Sequence, residues 1–335
     1  MLALVGRTPG GSLLTALLCC AASGCGGSAA SPPNSDATLL LDFTPNAVHA
    51  GVYSTVVRGF DTAEGVTLHV REPGSSTDSV KLLASGRTEF AILDIHDLAL
   101  ARARGEDLVG VMAIVEQPLA ALEAQPAIRN PRQLMGRAVG VSGLPSDNAV
   151  LRSVVAGAGG NPSRVRRVTI GFNAVPALLA GRVAAVTAFW DVEGLQLHAR
   201  SPAIHEFRLE RFGAPAYPEL VLCVSARTLR EQPSLVGATV AALRRGYAVT
   251  LSDPQSSVED ELSRVPGLDA GTLRAQLDAL GPAFAGSEPA FGTLDRSALR
   301  AWATWEARFG VVPRSPDVGA MFDARYANAP PPPDA

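Results

Sequence analysis

The sequence predicts an α/β protein built on two mixed, mostly parallel sheets flanked by helices, with a helical C-terminal region. Short β-rich runs alternate with amphipathic segments between Thr38 and Val224, the pattern of strands joined by crossover helices. Two such series follow one another, which suits two sheets better than one. After Val224 the alternation stops, and residues 233–251, 258–264, 270–280 and 295–309 read as helices. With 335 residues, 47% of them hydrophobic, the chain can bury a core in each of two domains.

Taken in order, residues 1–25 read as a targeting segment. Arg7 precedes an apolar run over 13–22 that is too short to span a bilayer. The run ends in Ala-Ser-Gly before Cys25, which resembles a bacterial lipobox, so cleavage before Cys25 and lipidation of that cysteine are expected. An ordinary secretory cleavage nearby and acylation of Cys20 are the alternatives. Residues 26–37 are small, polar and proline-containing, as in a flexible tether, and the proline-rich tail 329–335 is expected to be disordered. Cys19, Cys20 and Cys25 belong to the leader, which leaves Cys223 alone in the mature body and excludes a disulfide framework.

Strands are expected over 38–43, 66–71, 90–93, 108–115, 138–141, 166–170, 184–188 and 220–224. Helices are expected over 49–60, 78–85, 95–104, 147–158, 175–179 and 192–199. The first lobe is placed at 38–119 and 219–328, and the second at 120–218. The chain then crosses between the lobes twice, which makes a hinge, and a cleft between hinged lobes is a common small-molecule site.

The chemistry-bearing residues gather where strands end. In LDFTPNAVHAG, residues 41–51, Asp42 closes an apolar run, Pro45 fixes a turn, Asn46 can cap the next helix and His49 sits in its first turn. These side chains either meet a ligand or satisfy local backbone groups, and spacing does not choose between the two. GLPSDNAVL, residues 143–151, repeats the design with Ser146 or Asp147 at a helix start, where free N–H groups suit an anion or a carbonyl, and capping explains the two residues as well as ligand contact does. Thr77 or Asp78 caps a third turn, and Asp94 makes a fourth polar strand end.

In AFWDVEGL, residues 188–195, Trp190 and Glu193 can offer a flat face and a charged acceptor to a planar, amine-bearing ring. Stacking of that kind adds about 0.5–1.5 kcal/mol and a charge-assisted hydrogen bond about 1.5–3 kcal/mol. The alternative puts Trp190 in the interlobe core and Glu193 in solvent.

Other classes lack their parts. The net charge of -3 with 18% charged residues is no nucleic-acid footprint. The histidines are few (His49, His69, His96, His198 and His205), and HExxH and CxxC are missing, so no dedicated metal site is expected. GxSxG, Walker A and GxGxxG are missing too, and no cofactor is expected.

The stretches LDFTPNAVHAGVY, GVTLHVREPG, SVKLLASGRTEFAILD, GLPSDNAVL, FWDVEG and YPELVLCV resemble successive motifs of the substrate-binding lipoproteins of bacterial ABC importers for thiamine-pyrimidine precursors. That wider family also contains riboflavin and alkanesulfonate binders and the fungal thiamine-pyrimidine synthase. The resemblance covers roughly residues 39–224 and implies a two-lobed, type II periplasmic binding-protein fold. It further implies a monomer that captures a small heterocycle, is held to the membrane by its lipid, and hands the ligand to a permease and its ATPase. By the same resemblance Asp42 and Asn46 line the cleft from the first lobe, with His49 and Tyr53 nearby, and Phe43 and Asp94, at the ends of their strands, are expected to meet the ligand beside them. Ser146 and Asp147 face it from the second lobe, Trp190 and Glu193 grip the heterocycle, and Tyr217, expected to contact the ligand, and Glu219 precede the returning hinge strand. Where pyrimidine binders of the family carry tryptophan after the first aspartate, this chain has Phe43. An enzyme of the synthase type is the rival reading, with His49 in the place of the reactive histidine, although the cysteine-rich iron-binding motif of that enzyme is absent.

Overall fold

The computed structural model describes residues 34–75, 77–144, 146–284 and 290–328. The expected leader with Cys25, the tether as far as Pro33 and the tail 329–335 lie outside the described residues. One correction falls at the boundary: β1 (Ser35–Leu40) starts inside the expected tether, because Ser35, Asp36 and Ala37 pair with Val66, Thr67 and Leu68 of β2 (Val66–Arg71). Among the described residues no helix is long and apolar enough to cross a membrane.

The first lobe adds β3 (Phe90–Asp94) and β4 (Leu108–Val115), both buried along their whole length, as strands covered on two faces must be. The second lobe holds β5 (Ala120–Ala124), β6 (Ala138–Val141), β7 (Arg166–Thr169), β8 (Ala185–Phe189) and β9 (His205–Arg208). The chain then returns as β10 (Leu220–Ser225). The sheet orders are β2-β1-β3-β10-β4 and β7-β6-β8-β5-β9. β10 runs antiparallel between β3 and β4, and β5 runs antiparallel between β8 and β9, so each sheet is mixed.

The periodicity locates β2, β4 and β6 at their observed bounds and misses β5 and β9. AALEA has no β-branched residue and HEFR is mostly polar, so neither carries a strand signature. Pairing with β8 on one side and with each other decides them, an instance of tertiary contact overriding propensity.

The helical C-terminal region packs on the first lobe. Helix Pro233–Ser252 lies against helix Ala50–Val57, the Tyr247 hydroxyl donates to the Val48 carbonyl at 2.9 Å, and the Tyr247 ring stacks on Phe291 with centroids 4.3 Å apart. The two backbones come close at glycine: a Cβ at Gly246 would overlap the Gly51 carbonyl and the Thr55 hydroxyl, and one at Gly51 would enter the Tyr247 ring. We predict that Gly246→Ala destabilises the protein. The helix-propensity gain of about 1 kcal/mol is outweighed by separating two packed helices, so a net loss of about 1–3 kcal/mol is expected in urea denaturation. An unchanged midpoint would mean the helices part freely.

Candidate functional site

The two sheets face each other across a cleft at the carboxyl ends of their parallel strands, where helix starts and turns supply the polar groups. A cavity there is lined by Phe43 and Asp94 from the first lobe and by Ser142, Ser146, Asp147 and Phe172 from the second, with Thr187, Phe189 and Glu193 on the floor formed at the end of β8. The Phe43 ring meets Phe172 edge-on with centroids 4.4 Å apart and Phe189 with centroids 6.0 Å apart, so aromatic contact spans the cleft. The enclosed space is about 50 Å³, against about 300–1,000 Å³ for a typical ligand pocket. A ring-sized guest therefore needs more room than the cleft has in this arrangement. A larger groove of about 970 Å³, lined by Arg152, Arg167 and Arg308, collects none of the strand-end carboxylates.

A polar contact also joins the lobes. Asp97, in helix Ile95–Ala103 of the first lobe, accepts the Ser146 amide at 2.9 Å and lies 3.4 Å from the Ser146 hydroxyl. Asp147 does not reach out. Its carboxylate accepts the Gly143 amide at 2.8 Å, the Thr187 hydroxyl at 2.6 Å, and the amide and hydroxyl of Ser142 at 3.2 Å, which closes the loop ahead of helix Asp147–Gly157. Asp94 caps the helix after β3 by accepting the His96 amide at 2.7 Å. Glu193 accepts the Phe189 amide at 3.1 Å from within the turn Trp190–Gly194, a π-type turn that bends β8 into the next helix.

Burial pushes the acids of Asp94 and Glu193 up to about 7, and that of Asp147 up as well. The cleft can thus offer protonated carboxyls as donors and ionised ones as acceptors near neutral pH.

The other expected residues sit elsewhere. Asn46 spends its side chain locally, accepting the Val48 amide at 3.0 Å and donating to the Thr44 carbonyl at 2.9 Å. His49 is fully buried: its Nδ1 accepts the Asn46 amide at 3.2 Å, which leaves Nε2 as the donor to Asp42 at 2.9 Å. Asp42 is therefore held by His49 beside the cleft and is not among the residues that line the cavity. Tyr53 lines a separate groove with Glu72 and Arg264. Trp190 turns inward, donating to the Pro118 carbonyl at 3.0 Å under the Arg208 guanidinium, which lies 4.0 Å from its ring. Tyr217 is fully buried with its hydroxyl 3.0 Å from His96 Nε2, and His96 Nδ1 pairs with Glu306. The expectation that Trp190 and Tyr217 face a ligand is thus corrected: both have apolar rings that the hinge region buries and polar tips that find partners there.

A model of the NMT1/THI5-like family matches residues 46–257. The chain belongs to this family. Its relatives include a formylaminopyrimidine-binding protein of Halalkalibacterium halodurans, 30% identical over 66% of this chain and 68% of that protein. A 4-amino-5-hydroxymethyl-2-methylpyrimidine phosphate synthase of Legionella pneumophila is 23% identical over 67% of this chain and 72% of the enzyme. Among solved structures, the alkanesulfonate-binding protein SsuA from Xanthomonas axonopodis pv. citri, bound to MOPS, superposes with a TM-score of 0.70 at 15% identity, covering 88% of this chain and 99% of that one. The periplasmic binding-protein fold expected from the motifs is the fold this NMT1/THI5-like chain adopts.

Sequence reasoning missed Phe172, Phe189, Thr187 and Asp97. Phe189 and Thr187 lie in the β8 run already singled out, so their place at a strand end was a usable signal. Phe172 had none, since only the docking of the lobes brings it to the cleft, and Asp97 likewise meets Ser146 only through that docking.

A further carboxylate behind the cleft, Asp191, is fully buried and neither of its oxygens has a hydrogen-bond partner; burial, with Glu193 and Asp42 adding, pushes its acid up to about 8. The folded chain therefore keeps a proton between pH of about 4 and 8 that the unfolded chain has released. Stability from this group is full below about pH 4 and is lost as pH rises through about 8, and Glu193 acts with the same sign. We expect the urea midpoint to fall between about pH 5.5 and 8.5, and Asp191→Asn to recover about 1 kcal/mol or more at the higher pH only. A variant equally stabilised at both would place the cost outside titration.

Proposed function

We propose that this chain is the solute-binding component of an ABC importer, exported, lipid-anchored through Cys25 and monomeric, and that it captures a formylaminopyrimidine-like heterocycle for a membrane permease and its ATPase. The observation that carries the reading is the cleft itself. Phenylalanine rings from both lobes meet where protonatable carboxyls gather, so one planar, nitrogen-bearing ring inserted between them would touch both halves at once. Closure is then driven by contacts made only when the lobes are together, and each contact counts by its preference for the closed state. The formylaminopyrimidine-binding relative supports this choice of guest.

The synthase relative favours an enzyme on the same fold, but in this chain both ring nitrogens of His49 are engaged and the residue is fully buried. We assign it the task of holding Asp42 and no covalent step. In the proposed complex the ring lies against Phe43 and Phe172, with Glu193 and Asp94 as hydrogen-bond partners. Asp147 and Ser146 shape the loop and the closed contact.

Isothermal titration of the mature protein with a formylaminopyrimidine tests the reading. Binding without turnover is expected, weakened tenfold or more by Phe43→Ala and by Glu193→Gln, a loss of at least about 1.4 kcal/mol for each. Heat signals identical to wild type in both variants would move the guest out of this cleft, and product formation abolished by His49→Ala would establish the enzyme. Cys25→Ser should release the protein from the membrane fraction, and retention of the variant there would remove the anchor.

A further inference from the structure

On the far side of the turn Trp190–Gly194 three donor groups converge, with His198 at ion-pair distance from two carboxylates. Glu123 on β5 and Glu206 on β9 are direct cross-strand partners, and His198 comes from the helix Leu195–Arg200 that follows the turn. His198 Nε2 lies 3.1 Å from a Glu123 oxygen and 3.9 Å from a Glu206 oxygen, and one donor atom from each residue fits within 4.8 Å of the other two. Glu123 is 0% exposed and neither of its carboxylate oxygens has a hydrogen-bond partner. Arg208 binds Glu206 Oε1 at 2.6 Å, which leaves Oε2 facing His198. Gly194 keeps the space open, since a Cβ there would lie 3.0 Å from Glu123 Oε1 and 3.4 Å from Glu206 Oε2.

Two carboxylates directly opposite on neighbouring strands repel one another, and the full burial of Glu123 is costly even with His198 Nε2 3.1 Å away. A cation among them removes both penalties. Among the described residues a second cluster of this kind, Asp94, His96 and Glu219, differs in that both His96 nitrogens already have partners in Glu306 and Tyr217.

We propose that Glu123, His198 and Glu206 form a binding site for a divalent transition-metal ion, with an imidazole and two carboxylates as ligands and water completing the shell. The donor set and count match what Zn²⁺ accepts. The ion would tie β5, β9 and the helix Leu195–Arg200 together behind the turn that carries Glu193 into the cleft, so it would brace the binding wall without touching the guest. Spacing along the chain gave no hint of it, because Glu123 and His198 lie 75 positions apart.

The test uses tag-free protein stripped with chelator and then titrated with Zn²⁺, with metal content and thermal unfolding as readouts. One ion per chain and a rise of several degrees in Tm are expected, both lost in His198→Ala and in Glu123→Gln. The first variant alters a half-exposed ring and the second is nearly isosteric, so both should fold. Failure of wild type to retain Zn²⁺, or retention unchanged in the two variants, would overturn the site. Neither readout involves the heterocycle, so this result stands or falls apart from the proposed transport role.

Discussion

The structure turns on one carboxylate. Glu219 is fully buried where the chain re-enters the first lobe; its side chain accepts the Leu119 amide at 2.9 Å and its carbonyl accepts the Ile95 amide at 2.9 Å. One residue thus binds both crossings between the lobes to each other and to the helix that follows Asp94. Burial pushes its acid up to about 7, against the pull of the nearby His96. His96 is drawn the opposite way: burial disfavours its charge, but Glu306 and Asp94 outweigh that and lift it to about 10. Acids and base are therefore packed as a set beneath the cleft, which makes the two crossings an electrostatic unit.

From that unit the site follows. β10 can lie antiparallel between β3 and β4 only because the chain leaves after Val115 and comes back at Leu220. That return brings Asp94 and Phe43 opposite the loops of the second lobe. The second lobe answers with a loop closed by Asp147 and a turn shaped around Trp190 and Glu193. The Asp97–Ser146 bond and the Phe43–Phe172 contact then set a polar and an apolar link side by side across the same gap. A guest that replaces the apolar link while leaving the polar one intact would keep the lobes together, which is the requirement for capture without chemistry.

The candidate residues divide according to what their neighbours leave them to do. Asp94, Ser146, Asp147 and Glu193 stand where strands end and line the cleft, because a strand end in an α/β sheet has one place to go, and Phe43, marked by the resemblance, lines it too. Asn46 and Asp147 nonetheless spend their hydrogen-bonding capacity on their own turns, the local reading that spacing left open. The chemistry of Trp190 and, for Tyr217, the resemblance alone point to a ligand, yet a large ring where the chain crosses between the sheets gains more from burial there than from a solvent-facing cleft. Phe172 and Asp97 carried no pattern at all.

What the sequence determined by itself is what depends on near neighbours: the strands with strong apolar or β-branched runs, the helices with a 3.6-residue period, the change to an all-helical tail, and the polar groups that end each strand. Local periodicity and turn chemistry are written within a few residues, so they can be read without a fold. The tertiary structure alone decided the weak strands β5 and β9, the inward turn of Trp190, the pairing of Asp97 with Ser146 and the meeting of Glu123, His198 and Glu206. Each of these balances desolvation against a partner tens or hundreds of positions away, and that balance exists only once the two sheets have closed on their shared hinge.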